Sequence, residues 1–204
     1  MATFKEKFEQ LVGDVSVYHP PTVDTDITEY LTATASEVLQ IIPDTIAIRH
    51  TVDNEQTDAT GFNSKNHRVI GVMRNGFEAQ EVSLGLKTQI DDSDSIHYRS
   101  ERTPVYYFDN GTVFVKPDPA SSSRAQIKTI SYPTVAHGDT SITGFPSTAE
   151  YAVVLGACVK YLHDVLSTTL HTNEDVEMAQ AIKLQTDSLN QLYRAELERI
   201  AGLQ

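Results

Sequence analysis

The sequence predicts an α+β chain: a helical body, made of an N-terminal helix plus a C-terminal helical hairpin, with a small antiparallel β-sheet or barrel inserted into it. Three observations carry this. Ile27, Leu31, Ala35, Val38 and Ile42 recur at steps of 4, 4, 3 and 4, one helical face closed by Pro43. Two β-type runs are each interrupted by Asn-Gly, at Asn75-Gly76 and Asn110-Gly111, a pair that supplies the positive φ angles of a tight hairpin turn. The last quarter holds two long helical runs parted by the polar Thr172-Asn173. The boundaries expected are 1–67 and 136–204 for the helical body and 68–135 for the insertion.

Taken in order, Phe4, Phe8, Leu11 and Val12 stand at helical spacing, with Gly13 as the stop. Tyr18-His-Pro-Pro-Thr22 breaks the chain. Asp26 with Glu29 three residues on reads as a capping-box start for the next helix. Residues 53–66 are polar and without period, an expected exposed loop or arm. Val69, Ile70, Val72 and Met73 lead into the first hairpin, and Phe77, Ala79 and Val82 leave it. In residues 84–95 Leu84, Leu86 and Ile90 fit a short helix or an irregular crossing, and Asp91-Asp-Ser-Asp94 a turn; the segment is read as loop. Val105-Tyr-Tyr-Phe108 and Val113-Phe-Val115 flank the second turn, and a further strand runs from Ala125 to Tyr132 and stops at Pro133. Ser147 with Glu150 reads as a capping box for a helix apolar on more than one side, and such a helix is normally buried between neighbours. The last helix is expected to begin near Asn173, with Glu174, Asp175 and Glu177 at its positive end and Ala179, Ile182, Leu189, Tyr193, Leu197 and Ile200 on one stripe.

Composition bounds the function. At 204 residues and 40% hydrophobic content the chain can close a core without disulfides. The lone cysteine, Cys158, sits in an apolar helical run and reads as a small core residue made in a reducing compartment. No basic and apolar leader opens the sequence, and no uninterrupted apolar run reaches the ~18 residues of a membrane span. Neither secretion by the usual route nor a membrane-spanning helix is expected. The net charge of −12 argues against a protein that grips duplex DNA, because such proteins neutralise phosphates with clustered Lys and Arg. The charge is uneven: −7 over 1–67 (4 basic, 11 acidic), −1 over 68–146 (8 and 9) and −4 over 147–204 (4 and 8).

No constellation for catalysis stands out. The seven histidines lack the paired His and adjacent Glu, or the paired Cys, of zinc sites, and Asp91, Asp92 and Asp94 lack the glycine and terminal glutamate of a calcium loop. No phosphate loop or serine elbow is present. Catalytic residues, metal ligands and cofactors are therefore each expected to be none. Tyr106, Tyr107, Phe108 and Phe114 could stack bases, but the Asp109-Asn110-Gly111 tip lacks interleaved cations, which favours core packing and subunit contact.

One junction adds more. Ile142-Thr-Gly-Phe-Pro146 opens into Ser147-Thr-Ala-Glu150, and the wording Phe145-Pro-Ser-Thr-Ala-Glu-Tyr151 after Ser131-Tyr-Pro-Thr-Val135 resembles the head-to-tail adaptor (neck or connector) proteins of tailed bacteriophages, chiefly cyanophages and other marine podovirus-like phages. Asp26-Ile-Thr-Glu-Tyr30, Ile96-His-Tyr98, Pro104-Val-Tyr-Tyr107 and Glu174-Asp-Val-Glu177-Met-Ala-Gln-Ala181 match at the level of pattern. Residues 53–66 and the short tail after Ile200 depart from some relatives. The resemblance implies a twelve-subunit homo-oligomeric ring under a portal protein, made in the host cytoplasm and resident in the virion neck. Such a ring prolongs the DNA channel, lets DNA pass without specific binding, contacts no membrane and offers a surface to a tail or nozzle protein. In that setting the acidic excess lines a hole through which DNA slides. Leu155, Val159, Tyr161, Leu189 and Tyr193 are the expected subunit contacts, Leu197, Ile200, Leu203 and Gln204 the portal contacts, and Phe108, Asp109, Asn110 and Gly111 the tail contacts. The alternatives are a tail terminator or stopper, and a small ligand-binding or hydrolytic β-module using His97, Tyr98 and Arg99. An acidic DNA mimic would need carboxylates aligned at phosphate spacing, which the sequence does not display.

Overall fold

A computed structural model describes residues 2–15, 23–172 and 176–202. The fold is α+β, with six α-helices and two four-stranded sheets among the described residues. It divides into two compact units, Met1–Ile46 with Tyr132–Gln204, and Ala47–Ser131. The β unit therefore starts about twenty residues before the expected 68 and ends at 131 rather than 135. The cause is a strand that the sequence pattern did not reveal.

The first unit is built around α1 (Phe4–Val12), α2 (Val23–Ile41), α5 (Glu150–Thr172) and α6 (Val176–Ala201). Thr3 caps α1 by accepting from the Glu6 amide while the Glu6 carboxylate accepts from the Thr3 amide, and Gly13, at φ 87°, ends the helix as expected. The predicted break at 18–22 lies outside the described residues. α2 begins at Val23, so Asp26 and Glu29 lie inside the helix and not at its cap; Asp24 and Asp26 occupy its first turn. Ile27, Leu31, Ala35, Val38 and Ile42 are all buried, as their spacing predicts.

α5 is the axis of this unit. Every residue from 152 to 159 is buried, which no single neighbour can achieve, and α5 packs against α1, α2 and α6. With the turn before it, Ser147–Leu170 is long and apolar enough to cross a membrane by length and composition alone; in this fold its middle is packed against those three helices. Its start differs from the expected capping box. Ser147–Ala149 form a 3-10 turn, and the Glu150 carboxylate accepts the Ile142 amide at 2.9 Å instead of reaching back to Ser147. The expected start of the last helix at Asn173 lies outside the described residues; α6 is described from Val176.

Gly156 sets the spacing of α2, α5 and α6. A Cβ placed there would come within 2.5 Å of Thr34 Cγ2 and 2.8 Å of Tyr193 Cζ. Along the same seam Lys160 Nζ donates to Glu37 Oε1 at 2.7 Å, and burial, then Glu37, pushes the Tyr193 phenol up to about 12. The returning chain is stitched to α2 by two threonines one turn apart. The Val135 amide donates to Thr32 Oγ1 (3.0 Å), whose hydroxyl donates to the Val135 carbonyl (3.3 Å), and the His137 amide donates to Thr28 Oγ1 (3.2 Å). The Phe4 and Lys5 amides donate to the Asp139 and His137 carbonyls at 2.8 and 2.9 Å, fixing the start of α1 on the same segment.

The connection into the second unit runs through the single turn α3 (Asp44–Ala47). One sheet has the order β1 (Val52–Gln56), β8 (Ala125–Ser131), β3 (His67–Arg74), β4 (Phe77–Glu78), all antiparallel. The other has the order β2 (Phe62–Asn63), β7 (Thr112–Lys116), β6 (Val105–Asp109), β5 (Gln80–Glu81), and its β5–β6 pair is parallel, a departure from the antiparallel expectation. Both Asn-Gly turns are present: Asn75 and Gly76 have φ 48° and 80°, Asn110 and Gly111 φ 49° and 73°. Val72, Ala125 and Ile127 of the first sheet share a buried cluster with Val113 and Val115 of the second, so the two sheets face each other across one small core.

The polar stretch at 53–66, expected to be loop, contains β1 and β2. β1 gains its ladder from β8, and its acidic residues find cations there: Asp53 Oδ1 is 2.8 Å from Lys128 Nζ and Glu55 Oε2 is 2.6 Å from Arg124 Nη1. The chain at 84–95 is also more ordered than expected. Ser83 Oγ accepts the Gly85 amide, a 3-10 turn follows at Leu84–Leu86, and α4 (Lys87–Ile90) buries Ile90.

Gly156→Ala should destabilise the protein by ~1–2 kcal/mol in chemical denaturation, because overpacking, ~1–3 kcal/mol, outweighs the ~1 kcal/mol helix-propensity gain of alanine. Adding Thr34→Ala should recover only part of the loss, because it removes the nearer methyl and leaves the Tyr193 ring in contact. A Gly156→Ala protein more stable than its parent would contradict the close approach.

Candidate functional site

The structure redistributes the apolar surface that the sequence assigned to partners. Of the expected subunit contacts, Leu155, Val159, Tyr161 and Leu189 are buried inside a single chain. Leu155 and Val159 belong to the sealed middle of α5, and Tyr161 packs edge-on against Phe8 of α1 with ring centroids 5.4 Å apart. Tyr193 is half-buried with its ring against Gly156. The first four are consumed by the fold of one chain and are corrected from subunit contacts to core, while Tyr193 stays partly accessible. Apolar periodicity could not separate the two roles, because α1 and α2 cover the faces that a neighbouring subunit was expected to cover.

The portal set divides. Ile200 is buried and helps line a shallow depression of about 240 Å³ with Ile42, Ile46, Pro146, Thr148, Ala149 and Arg199. Ile200 is thereby corrected to an intrachain role, and Leu197 is half-buried. Leu203 and Gln204 lie outside the described residues. Arg199 closes this end of the body: its Nη2 donates to the Thr148 carbonyl at 2.8 Å and its Nε to Glu196 at 2.8 Å.

The residues expected to contact a tail lie at a hairpin end and are exposed or half-buried. Phe108 is 39% exposed, Asn110 is exposed, and Asp109 and Gly111 are partly so, at the tip of the β6–β7 hairpin. Alternation along β6 explains how. Val105 and Tyr107 are buried on one face, with Tyr107 stacked on Phe114 (centroids 5.5 Å) and Lys87 Nζ 5.7 Å from the Tyr107 ring. Tyr106 and Phe108 meet edge to face on the other (5.9 Å). The four aromatic residues therefore do not form one stacking platform. The most exposed large apolar side chain in this unit, Ile96 at 90%, was given no contact role from the sequence, only a place in the resemblance; it stands in a turn after α4 beside Tyr98, also exposed. Its signal was the single isoleucine of an otherwise polar run from 91 to 97.

The alternative ligand site does not assemble as predicted. Arg99, with Arg102, Glu78, Gln80, Thr103 and Pro104, lines a depression of about 230 Å³, but His97 and Tyr98 do not line it. Asp92 Oδ1 accepts the Asp94 amide and Asp91 pairs with Lys116 at 3.0 Å, so these carboxylates serve a turn and an ion pair. Among the described residues no group of three or more metal-ligating side chains comes together. Arg74 was also missed. It is 2% exposed, and its Nη2 reaches the Asp118 carbonyl (2.9 Å), Ser123 Oγ (3.2 Å) and Glu101 Oε1 (3.4 Å), tying the loops at 101 and 118–123 to the end of β3. Cys158 is buried, with Sγ 4.0 Å from the Phe8 carbonyl, and burial pushes its thiol well above the usual range.

No protein-family model matches this chain, and no curated protein matches it.

Thiol reagents should label Cys158 in the native protein only at the rate of opening of the α1–α5 contact, and at once in denaturant. Because the folded thiol titrates above its unfolded value of about 8.5, its contribution to stability is complete below that pH and falls as pH rises through it. Titration of stability in Cys158→Ala, which should lack this component, checks the sign.

Proposed function

We propose that this chain is a structural adaptor of a tailed-phage neck, a non-catalytic subunit of a ring that binds beneath the portal, extends the DNA channel and docks the tail. The observation that carries the reading is the organisation of the chain. A helical body is interrupted by a β unit and resumes at 132–151, the stretch whose wording resembles neck adaptors. The β unit leaves Ile96 exposed on the segment after α4, and Phe108 partly exposed at a hairpin tip, on the same sheet face as Val113 and Val115 but outside the buried cluster they join. Apolar side chains held outside a filled core are what a docking surface requires. On the helical body, Tyr151, 49% exposed, and Ile41 replace the sealed residues as candidates for the neighbouring subunit. The excess of acidic groups then keeps phosphates moving past the wall instead of holding them.

Electron microscopy of the purified chain mixed with the portal ring of its own virion tests this, with a bound twelve-fold ring as the expected image. A chain that stays free of the portal at all ratios would sink the proposal. Ile96→Asp and Phe108→Asp should leave portal binding intact and reduce tail attachment tenfold or more, since each places a charge in a contact that must be desolvated.

A further inference from the structure

The two Asn-Gly turns differ in what holds the asparagine. At the β3–β4 turn Asn75 is anchored: its Nδ2 donates to Ser123 Oγ at 2.7 Å and to Glu101 Oε2 at 3.5 Å. Ser123 is buried and also accepts from Arg74 Nη2, so the anchor is itself fixed. At the β6–β7 turn Asn110 is exposed, and among the described residues no group bonds its side chain. A glycine follows each asparagine at positive φ, and neither glycine has a Cβ to shield its nitrogen.

We propose that Asn110 is a self-modification site: its side-chain amide converts to a carboxylate through a cyclic imide, while the fold protects Asn75 from the same reaction. The Gly111 nitrogen gives its proton to a solvent base and forms a bond to Asn110 Cγ. The Cγ–Nδ2 bond then breaks, and the side-chain nitrogen takes up a proton and leaves as ammonia. Water is the co-reactant that opens the imide. Attack at Cγ leaves aspartate at 110, and attack at the main-chain carbonyl carbon leaves isoaspartate, whose extra methylene lies in the backbone.

The surroundings of the tip suit this chemistry. Ser64 holds the hairpin from the far side, its amide and hydroxyl donating to the Gly111 carbonyl at 2.9 and 3.1 Å. That carbonyl belongs to the peptide after Gly111, whereas the reacting nitrogen belongs to the peptide before it. Ring closure takes Asn110 out of its left-handed conformation, φ 49°, so reaction proceeds through local opening, which is least costly at an exposed tip. For Asn75 to react, two side-chain hydrogen bonds must break as well, and their loss lowers its reactive population by about tenfold more. Aspartate tolerates the positive φ of the turn as asparagine does, so that product keeps the hairpin and adds a carboxylate beside Asp109. Isoaspartate instead displaces the Asp109–Thr112 pairing. The reaction needs no partner and does not rest on the neck reading.

Peptide mapping by mass spectrometry tests this on the full-length folded chain, aged in mildly alkaline heavy-oxygen water. Label from imide hydrolysis is expected at 110 about tenfold or more faster than at 75. In denaturant the two sites should react at similar rates, because both are Asn-Gly and only the fold separates them. Ser123→Ala, which removes the acceptor of the short Asn75 bond, should speed reaction at 75 severalfold and leave 110 unchanged, the unchanged rate showing that the β unit is still folded. Equal rates at the two sites in the folded parent chain, faster reaction at 75, or no reaction at 110 over a time in which the denatured chain converts would each overturn the proposal. The comparison within the parent chain stands whether or not the Ser123 variant folds.

Discussion

Everything in the helical body depends on α5 having no free side over its middle. Eight consecutive buried residues demand cover from every direction, and the cover comes from opposite ends of the chain, α1 and α2 before the β unit and α6 after it. A fully buried Val or Leu contributes about 1.5–3 kcal/mol, so this stretch dominates the local balance against chain entropy. Two details make the arrangement possible. Gly156 has no side chain where Thr34 and Tyr193 come close, and Thr28 and Thr32 hold the segment that brings the chain back. The second solves a polar problem as well, because amides lying along a packed helix need partners, and the threonine hydroxyls provide them.

What could be read in advance was local. The buried face of α2 follows from its 3.6-residue period, and the two hairpins follow from the willingness of Asn-Gly to adopt positive φ. What could not be read required knowing a partner. β1 looks like an arm until β8 places Lys128 and Arg124 beside its carboxylates. The parallel β5–β6 pair is invisible because two short runs separated by some twenty residues carry no mark of direction. Glu150 stands three residues after Ser147, as a capping box asks, yet a nearer amide, that of Ile142, takes its carboxylate. The contact residues failed for the same reason. Leu155, Val159, Tyr161 and Leu189 are apolar enough to need cover, and sequence states the need without stating who meets it.

Large apolar side chains stay exposed on both units, among them Ile48, Val52, Ile96 and Phe108 on the β unit and Ile41, Tyr151, Leu170, Val176, Leu184 and Leu192 on the helical body. The two depressions described, of about 240 and 230 Å³, are shallow and lined in part by arginines already engaged or open to solvent.

The way the chain enters and leaves the β unit has a mechanical consequence. Entry at Ala47 and exit at Ser131 feed β1 and β8, which lie side by side and antiparallel, with Val52 opposite Thr129 at the end nearest both crossings. Tension arriving from the helical body therefore loads the ladder at one end and opens its rungs in sequence, like a zipper, instead of straining all of them in shear. The unit is thus tethered at one end of a ladder whose inner strand, β8, is also held by β3 as far as Ser131.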